Sequence, residues 1–259
     1  MNFPGKDSIL FCQQIGQVIT ARVSDSAAWE NPVRLADAFL DFSLFFRDRG
    51  DIRVIVLSGF EQNNPSPNPP APHPGSLSKQ RFSPGVSVSR QVASWAIPVI
   101  AAVEGSALGL AFEVILACDL RIAAETSRFG FPYIRKGLIP WDGGSQRLSR
   151  IVGPAKALEL ILTGEEVPGQ EAKRIGLIHK MVPPPEVMES ALNLAQEISQ
   201  KAPLALRFAK EAVFKGMEMT LDQGLHLEAD LYFLLQTTKD RTEGIQAFQQ
   251  KRRPKFEGK

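Results

Sequence analysis

The chain has 259 residues, of which 44% are hydrophobic and 22% are charged, a composition typical of a globular protein with one large domain or a core with a small extension. The formal net charge of +2, from 30 Lys and Arg against 28 Asp and Glu, argues against a dedicated nucleic-acid-binding protein, which usually has a strong basic excess. Cys12 and Cys118 lack a CxxC spacing, and the N-terminus lacks a secretory signal pattern. We therefore expect free thiols in a reducing, cytoplasmic environment.

The first half of the chain alternates strand and helix patterns. Residues 17–23 predict a strand, and Asn31 followed by Pro32 predicts a helix start, with Asn as the cap and Pro at the first helical position. This helix is expected to end near residue 50. The apolar residues expected on one side of it are Val33, Ala36, Phe39, Leu40 and Leu44.

Three apolar runs predict further strands at residues 52–57, 98–103 and 120–123. The alternation predicts an α/β core built on right-handed crossovers. The C-terminal part is helical by periodicity. Its expected helices are residues 185–200, 203–216, 221–237 and 240–250. We predict a core over residues 1–198 and a helical region over residues 199–259.

Residues 58–85 form a proline-rich segment, with six prolines between Pro65 and Pro74. The composition is too polar and too rich in proline for regular structure, and so long a loop in a compact domain is either disordered or functional. Both alternatives remain open from the sequence.

A strand-to-helix turn at residues 99–123 is the most informative local pattern. A buried strand leads to Gly105 and Gly109, and a helix is expected to begin at about Leu110. Glycines allow a ligand to approach the backbone, and the first amides of a helix with its dipole attract negative charge. Glu113 falls in the first turn. The simpler alternatives are close helix–strand packing for the glycines and helix-start electrostatics for Glu113.

The chain resembles the enoyl-CoA hydratase/isomerase (crotonase) family from about residue 52 to the C-terminus, apart from the proline-rich segment. The matching motifs are PVIAAVEGSALG, AFE, LACDLRIAAE, RFGFP, KGLIP, GGSQRL, LTGEEV, EAKRIGLIHKMV and EGIQAFQQKRRPKFEG. The resemblance implies a crotonase-type spiral of repeated ββα units with a C-terminal helical trimerisation region, and a homotrimer or dimer of trimers.

The resemblance also implies roles for individual residues. The amide of Leu110 matches one half of an oxyanion hole that stabilises a thioester enolate, and Glu113 matches the first catalytic glutamate. Phe248 and Lys251 match positions that contact coenzyme A, often across a subunit boundary. Their alternatives are packing for Phe248 and a solvated surface charge for Lys251.

Two departures from the family pattern concern the second carboxylate and the second oxyanion amide. Tyr133 stands where hydratases have their second catalytic glutamate, and a tyrosine with an ordinary pKa of about 10 is a poor general base. The proline-rich segment replaces the usual source of the second amide. Because proline has no amide to donate, the candidates there are His73, Ala71 and Gly75.

Asp142 is a third departure, since hydratases tend to have small residues before Gly143 and Gly144. Some members that move double bonds use a carboxylate near this point, so Asp142 is a candidate base. Its alternative role is that of a turn residue.

These patterns predict an acyl-CoA enzyme of the hydratase or isomerase type. A decarboxylase or C–C hydrolase of the same family, and a non-catalytic homologue that binds CoA or serves in assembly, remain alternatives. The sequence predicts no membrane or nucleic-acid partner, no metal site and no cofactor, since coenzyme A would be part of the substrate.

Overall fold

The computed structural model of the chain describes residues 9–24, 26–47, 49–61 and 87–259. The strands are β1 (Leu10–Ile15), β2 (Val18–Val23), β3 (Val54–Ser58), β4 (Val99–Val103), β5 (Ser106–Leu108), β6 (Leu120–Ala124), β7 (Arg128–Gly130), β8 (Val167–Pro168) and β9 (Lys180–Val182). The α-helices are α1 (Pro32–Arg47), α2 (Val88–Ser94), α3 (Leu110–Ala117), α4 (Gly144–Val152), α5 (Pro154–Thr163), α6 (Gly169–Arg174), α7 (Val187–Ser199), α8 (Pro203–Gly216), α9 (Leu221–Gln236) and α10 (Lys239–Gln249). Shorter 3₁₀ segments lie at Ser26–Glu30, Pro132–Lys136 and Pro184–Glu186.

Within the described residues, two sheets organise the core. The larger has the strand order β1-β2-β3-β4-β6-β9, in which β1 and β2 are antiparallel and the later neighbours are parallel. The smaller has the order β5-β7-β8. Every strand predicted from the sequence is present within one or two residues of its expected bounds, which confirms the α/β prediction.

The central strands bury both of their faces, as their continuous apolar runs predict. On β4, Val99 and Ala101 belong to the core that faces α1, α2 and α3. The alternate residues Ile100 and Ala102 belong to the second core, which is closed by α7. Side chains that alternate between the faces of a strand therefore join a helical layer on each side of the sheet.

Helix α1 begins as predicted but buries a partly different face. The Asn31 side chain accepts a hydrogen bond from the amide of Arg34 at 3.2 Å, as expected of a cap. The buried residues are Leu35, Ala36, Phe39, Phe42 and Phe46. The prediction was wrong for three residues of the expected face, which are exposed: Val33, Leu40 and Leu44. Apolar residues lie on more than one side of this helix, so periodicity alone did not select the face that packs against Trp95.

The four C-terminal helices occur where they were predicted, and two basic side chains fasten this region to the sheet. Arg53, before β3, donates to the carbonyl oxygens of Ser199 at 2.9 Å and Phe256 at 2.5 Å. Lys210 of α8 pairs with Asp119 at 2.7 Å. None of the helices in the described part of the chain has both the length and the hydropathy that crossing a bilayer requires.

The proline-rich segment predicted at residues 58–85 lies largely outside the described residues, which resume at Ser87. Its first residues are fixed. Phe60 is buried and stacks on Trp29, whose indole N–H donates to the carbonyl oxygen of Gly59 at 2.9 Å. Gly59 has φ 82°, and a Cβ there would lie 2.3 Å from the carbonyl oxygen of Val23, so only glycine fits.

Candidate active site

The candidate site is built around the start of α3. Gly109 precedes this helix with φ 57°, and its amide donates to the carbonyl oxygen of Gly130 at 3.0 Å. Leu110 is the first helical residue and is buried. The first amides of a helix have no partner within the helix, and the role of the Leu110 amide as a donor to an oxyanion stays a prediction.

Glu113 lies in the first turn of α3, and its side chain is completely buried. Its Oε2 accepts hydrogen bonds from the amides of Asp142 at 2.7 Å and Gly144 at 2.8 Å. Its Oε1 accepts from the Trp141 amide and the Tyr133 hydroxyl, each at 3.3 Å. The carboxyl group is therefore held by the backbone turn that begins α4.

Burial raises the pKa of Glu113 from 4.5 to about 7, because a charged carboxylate loses its hydration in the interior. The nearby charge of Asp142 also raises this pKa, whereas the amide hydrogen bonds lower it. A carboxyl group whose pKa lies close to neutrality can both accept and release a proton, which is the property of a general acid–base group.

Tyr133 is buried in the 3₁₀ segment that follows β7, stacked on Phe131 at 6.1 Å between ring centroids. Burial, and then the charge of Glu113, raise its pKa well above 10. Tyr133 therefore keeps its proton and serves as a hydrogen-bond donor. Its hydroxyl also closes the space beside the helix start, because a Cβ on Gly109 would lie 3.0 Å from it.

Asp142 is brought into the same cluster, but both of its carboxylate oxygens are engaged elsewhere. The hydroxyl of Ser87 donates to Oδ1, and the amide of Ser89 donates to Oδ2 at 2.8 Å. These two serines begin α2, so the Asp142 side chain binds the N-terminus of that helix. The sequence prediction of Asp142 as a base stays a prediction.

The remaining predicted residues lie apart from this cluster or outside the described chain. Phe248 is highly exposed near the end of α10, and Lys251 follows that helix with φ 52° in the left-handed region. Their predicted contacts with coenzyme A stay predictions. His73, together with the alternatives Ala71 and Gly75, lies outside the described residues.

The sequence analysis did not find three residues that the structure adds to the cluster. Ser87 and Ser89 bind Asp142, and Arg147 donates from Nη1 to the carbonyl oxygen of Asp142 at 2.9 Å. Ser87 before an apolar run is a recognisable helix cap, but its pairing with a residue 55 positions away has no local sequence signal.

The candidate site therefore combines a buried carboxyl group of raised pKa with a helix N-terminus in a layered α/β fold. The enoyl-CoA hydratase/isomerase family model matches residues 75–259. The chain belongs to this family.

Individual relatives support the assignment. A Bacillus subtilis protein named as an enoyl-CoA hydratase/isomerase is 49% identical over 161 residues, covering 62% of each chain. The 2,3-dehydroadipyl-CoA hydratase of Escherichia coli is 45% identical over 162 residues, covering 62% of this chain and 64% of the relative. The chain thus matches less than two thirds of the length of these curated relatives.

The solved structures extend the likeness to the whole fold. The crystal structure of an enoyl-CoA hydratase from Bacillus anthracis superposes with a TM-score of 0.86 at 31% identity, covering 97% of this chain and 100% of that one. The predicted crotonase-type fold with a helical C-terminus is confirmed.

Proposed function

We propose that this protein binds an acyl-CoA thioester, stabilises an enolate formed from it at the start of α3, and transfers a proton through Glu113. The observation that carries the proposal is the Glu113 carboxyl group, buried in the first turn of α3 with its pKa raised to about 7. An amide aimed at a developing oxyanion and a proton carrier next to it are together sufficient for enolate chemistry.

The reaction we propose is of the hydratase/isomerase type, and isomerisation needs the fewest groups. Glu113 as carboxylate would remove a proton from C2 of a 3-enoyl thioester, leaving a dienolate with its charge on the thioester oxygen. The protonated Glu113 would then return the proton to C4, which gives the 2-enoyl thioester and regenerates the carboxylate. One carboxyl group serves both steps, and Tyr133 can orient it.

Hydration makes a further demand on the same site. Water adds across the double bond only if one group removes its proton and another delivers a proton to carbon. Tyr133, with its pKa raised well above 10, does not act as the base. In this reaction the Glu113 carboxylate would remove a proton from water as the water oxygen bonds to C3, and the Tyr133 hydroxyl would deliver its proton to C2 of the enolate. The proton held by Glu113 would then pass to the Tyr133 oxygen through their 3.3 Å hydrogen bond, which restores both groups.

Decarboxylation of a malonyl-type thioester is the second candidate, and Tyr133 is the observation that favours it. A neutral tyrosine stacked on Phe131 replaces a carboxylate that would repel a substrate carboxylate. Loss of carbon dioxide leaves the enolate, which protonated Glu113 would quench at C2.

The C-terminal helices support a proposal about partners. Phe248 and Lys251 offer an exposed ring and a cation suited to the adenine and phosphates of coenzyme A. Large apolar side chains are exposed on α8 and α9, among them Phe214, Leu225 and Phe233. Exposed apolar patches mark interaction surfaces, and we propose that they form a homotrimer or a dimer of trimers.

A product screen tests the proposal. The purified protein and its Glu113→Gln variant are incubated with 2-enoyl-, 3-enoyl- and malonyl-type CoA thioesters in H₂¹⁸O, and the products are analysed by mass spectrometry and chromatography. Double-bond migration without mass change identifies isomerisation, gain of labelled water identifies hydration, and loss of carbon dioxide identifies decarboxylation. A variant as active as the wild type would overturn the assignment of Glu113, whereas thioester binding without any turnover of the wild type would favour a non-catalytic homologue.

A further inference from the structure

The carboxylate of Asp142 and its backbone face different partners. Its amide donates to Oε2 of Glu113 at 2.7 Å, whereas its side chain accepts from Ser87 and Ser89 at the start of α2. Asp142 is only 4% exposed. Asp142 therefore links Glu113 to the N-terminus of α2, through its amide on one side and its carboxylate on the other.

The carbonyl group of Asp142 completes this arrangement. It accepts from Nη1 of Arg147 at 2.9 Å. The turn that follows has little room, because Gly143 adopts φ 97° and a Cβ on Gly144 would lie 2.6 Å from the Phe131 ring. With its side chain, amide and carbonyl oxygen all bound, Asp142 fixes the direction in which its own amide points.

We infer that Asp142 is a positioning residue, which holds the Glu113 carboxyl group through its own amide while its carboxylate anchors that amide to the start of α2. This inference rests on the proposed function of Glu113 and assigns Asp142 a role other than that of a base. Both carboxylate oxygens of Asp142 are bound to the start of α2, so they are not available to take a proton from a substrate. The Asp142 amide, in contrast, is one of the donors that hold the Glu113 carboxyl group.

The position of Asp142 also sets the electrostatic surroundings of Glu113. The other titratable groups around Glu113 in the described residues are Tyr133 of the 3₁₀ segment and Arg147 of α4, and Arg90 of α2 acts on Arg147 in turn. The negative charge of Asp142 disfavours a second negative charge on Glu113. Removing that charge while keeping the hydrogen bonds should therefore make Glu113 a stronger acid.

The decisive variant is Asp142→Asn, which keeps the shape and an oxygen acceptor for the Ser89 amide and lets the Ser87 hydroxyl turn to accept from the new amide. The first readout is the midpoint pH of the change in unfolding free energy that accompanies the titration of Glu113. This measurement needs no substrate. We expect this midpoint to move to lower pH. In a Glu113→Gln background the same substitution should produce no such shift, because the carboxyl group whose pKa is followed is then absent.

The second readout is the pH profile of kcat/KM with the thioester found in the product screen. We expect Asp142→Asn to remain active with an acid-shifted midpoint. Asp142→Ala, which releases the anchor, should lose up to about 100-fold in kcat, since misplacement by about 1 Å has an effect of this size. The matched control is Asp240→Asn, because Asp240 is equally buried at 4% and binds two backbone amides of the C-terminal tail. It should change neither midpoint.

The outcomes distinguish this inference from the proposed function. Wild-type kcat in a folded Asp142→Ala variant would overturn the positioning role. An unchanged midpoint for Asp142→Asn, or the same shift in the Glu113→Gln background, would overturn the effect of the Asp142 charge on Glu113. A folded Asp142→Asn variant as inactive as Glu113→Gln would show that Asp142 takes part in the chemistry itself. Full activity of Glu113→Gln would overturn the proposed function, and the unfolding midpoint would still report whether the charge of Asp142 acts on Glu113.

Discussion

Replacing Glu113 by glutamine should remove a pH dependence of stability that follows from burial of this carboxyl group. In the unfolded chain the carboxyl has its ordinary pKa of 4.5, and in the folded chain the pKa is about 7. The folded state therefore binds the proton more tightly. The favourable contribution is fully present below pH 4.5 and is lost as the pH rises through the folded pKa of about 7.

The size of the effect follows from the pKa difference. At 1.36 kcal/mol for each pKa unit, the shift from 4.5 to about 7 corresponds to about 3 kcal/mol of unfolding free energy lost between those two pH values. Glutamine does not titrate. It also places an amide group opposite the backbone amides that bind Glu113, which destabilises the variant by an amount that does not vary with pH.

The assay is urea unfolding followed by circular dichroism at several pH values between 4.5 and 8, with wild type and variant at one protein concentration, because assembly would couple stability to concentration. The wild type should lose about 3 kcal/mol relative to the variant over this range. Parallel curves for the two proteins would refute the argument, because Glu113 would then have the same pKa in both states.

Three further predictions concern the surroundings of the site. Gly144→Ala should lower the unfolding free energy by about 1–3 kcal/mol through overpacking against Phe131, and it should reduce activity. Thermal melting and product formation measure the two effects. The control Gly50→Ala, which has open space around its Cβ, should leave both unchanged. Tyr133→Phe should keep the fold and lower kcat by about tenfold or more if its hydroxyl orients the carboxyl group; wild-type kcat would limit this residue to packing. Lys210→Met should lower the unfolding free energy by about 1–3 kcal/mol, because its partly buried aspartate partner loses its counter-charge, and a loss below 1 kcal/mol in urea titrations would contradict this.

Much of the fold followed from the sequence because its signals are local. The apolar runs that became β3 and β4, the Asn31 cap of α1 and the start of α3 at Leu110 depend on residues within a few positions of one another. The position of Glu113 in the first turn of α3 is fixed by the same local pattern. The family resemblance, carried by ordered motifs over most of the chain, added the architecture.

Tertiary structure decided what lies opposite these local elements. Sequence periodicity did not select the buried face of α1, because apolar side chains lie on several of its sides and the packing against Trp95 and the rest of the core determines which side is covered. The pKa of Glu113 depends on burial, and burial arises from packing between segments distant in the chain. Asp142 was a turn residue or a base by its sequence alone, and its contacts with Ser87, 55 positions earlier, and Glu113, 29 positions earlier, exist only because the fold brings α2, α3 and α4 together.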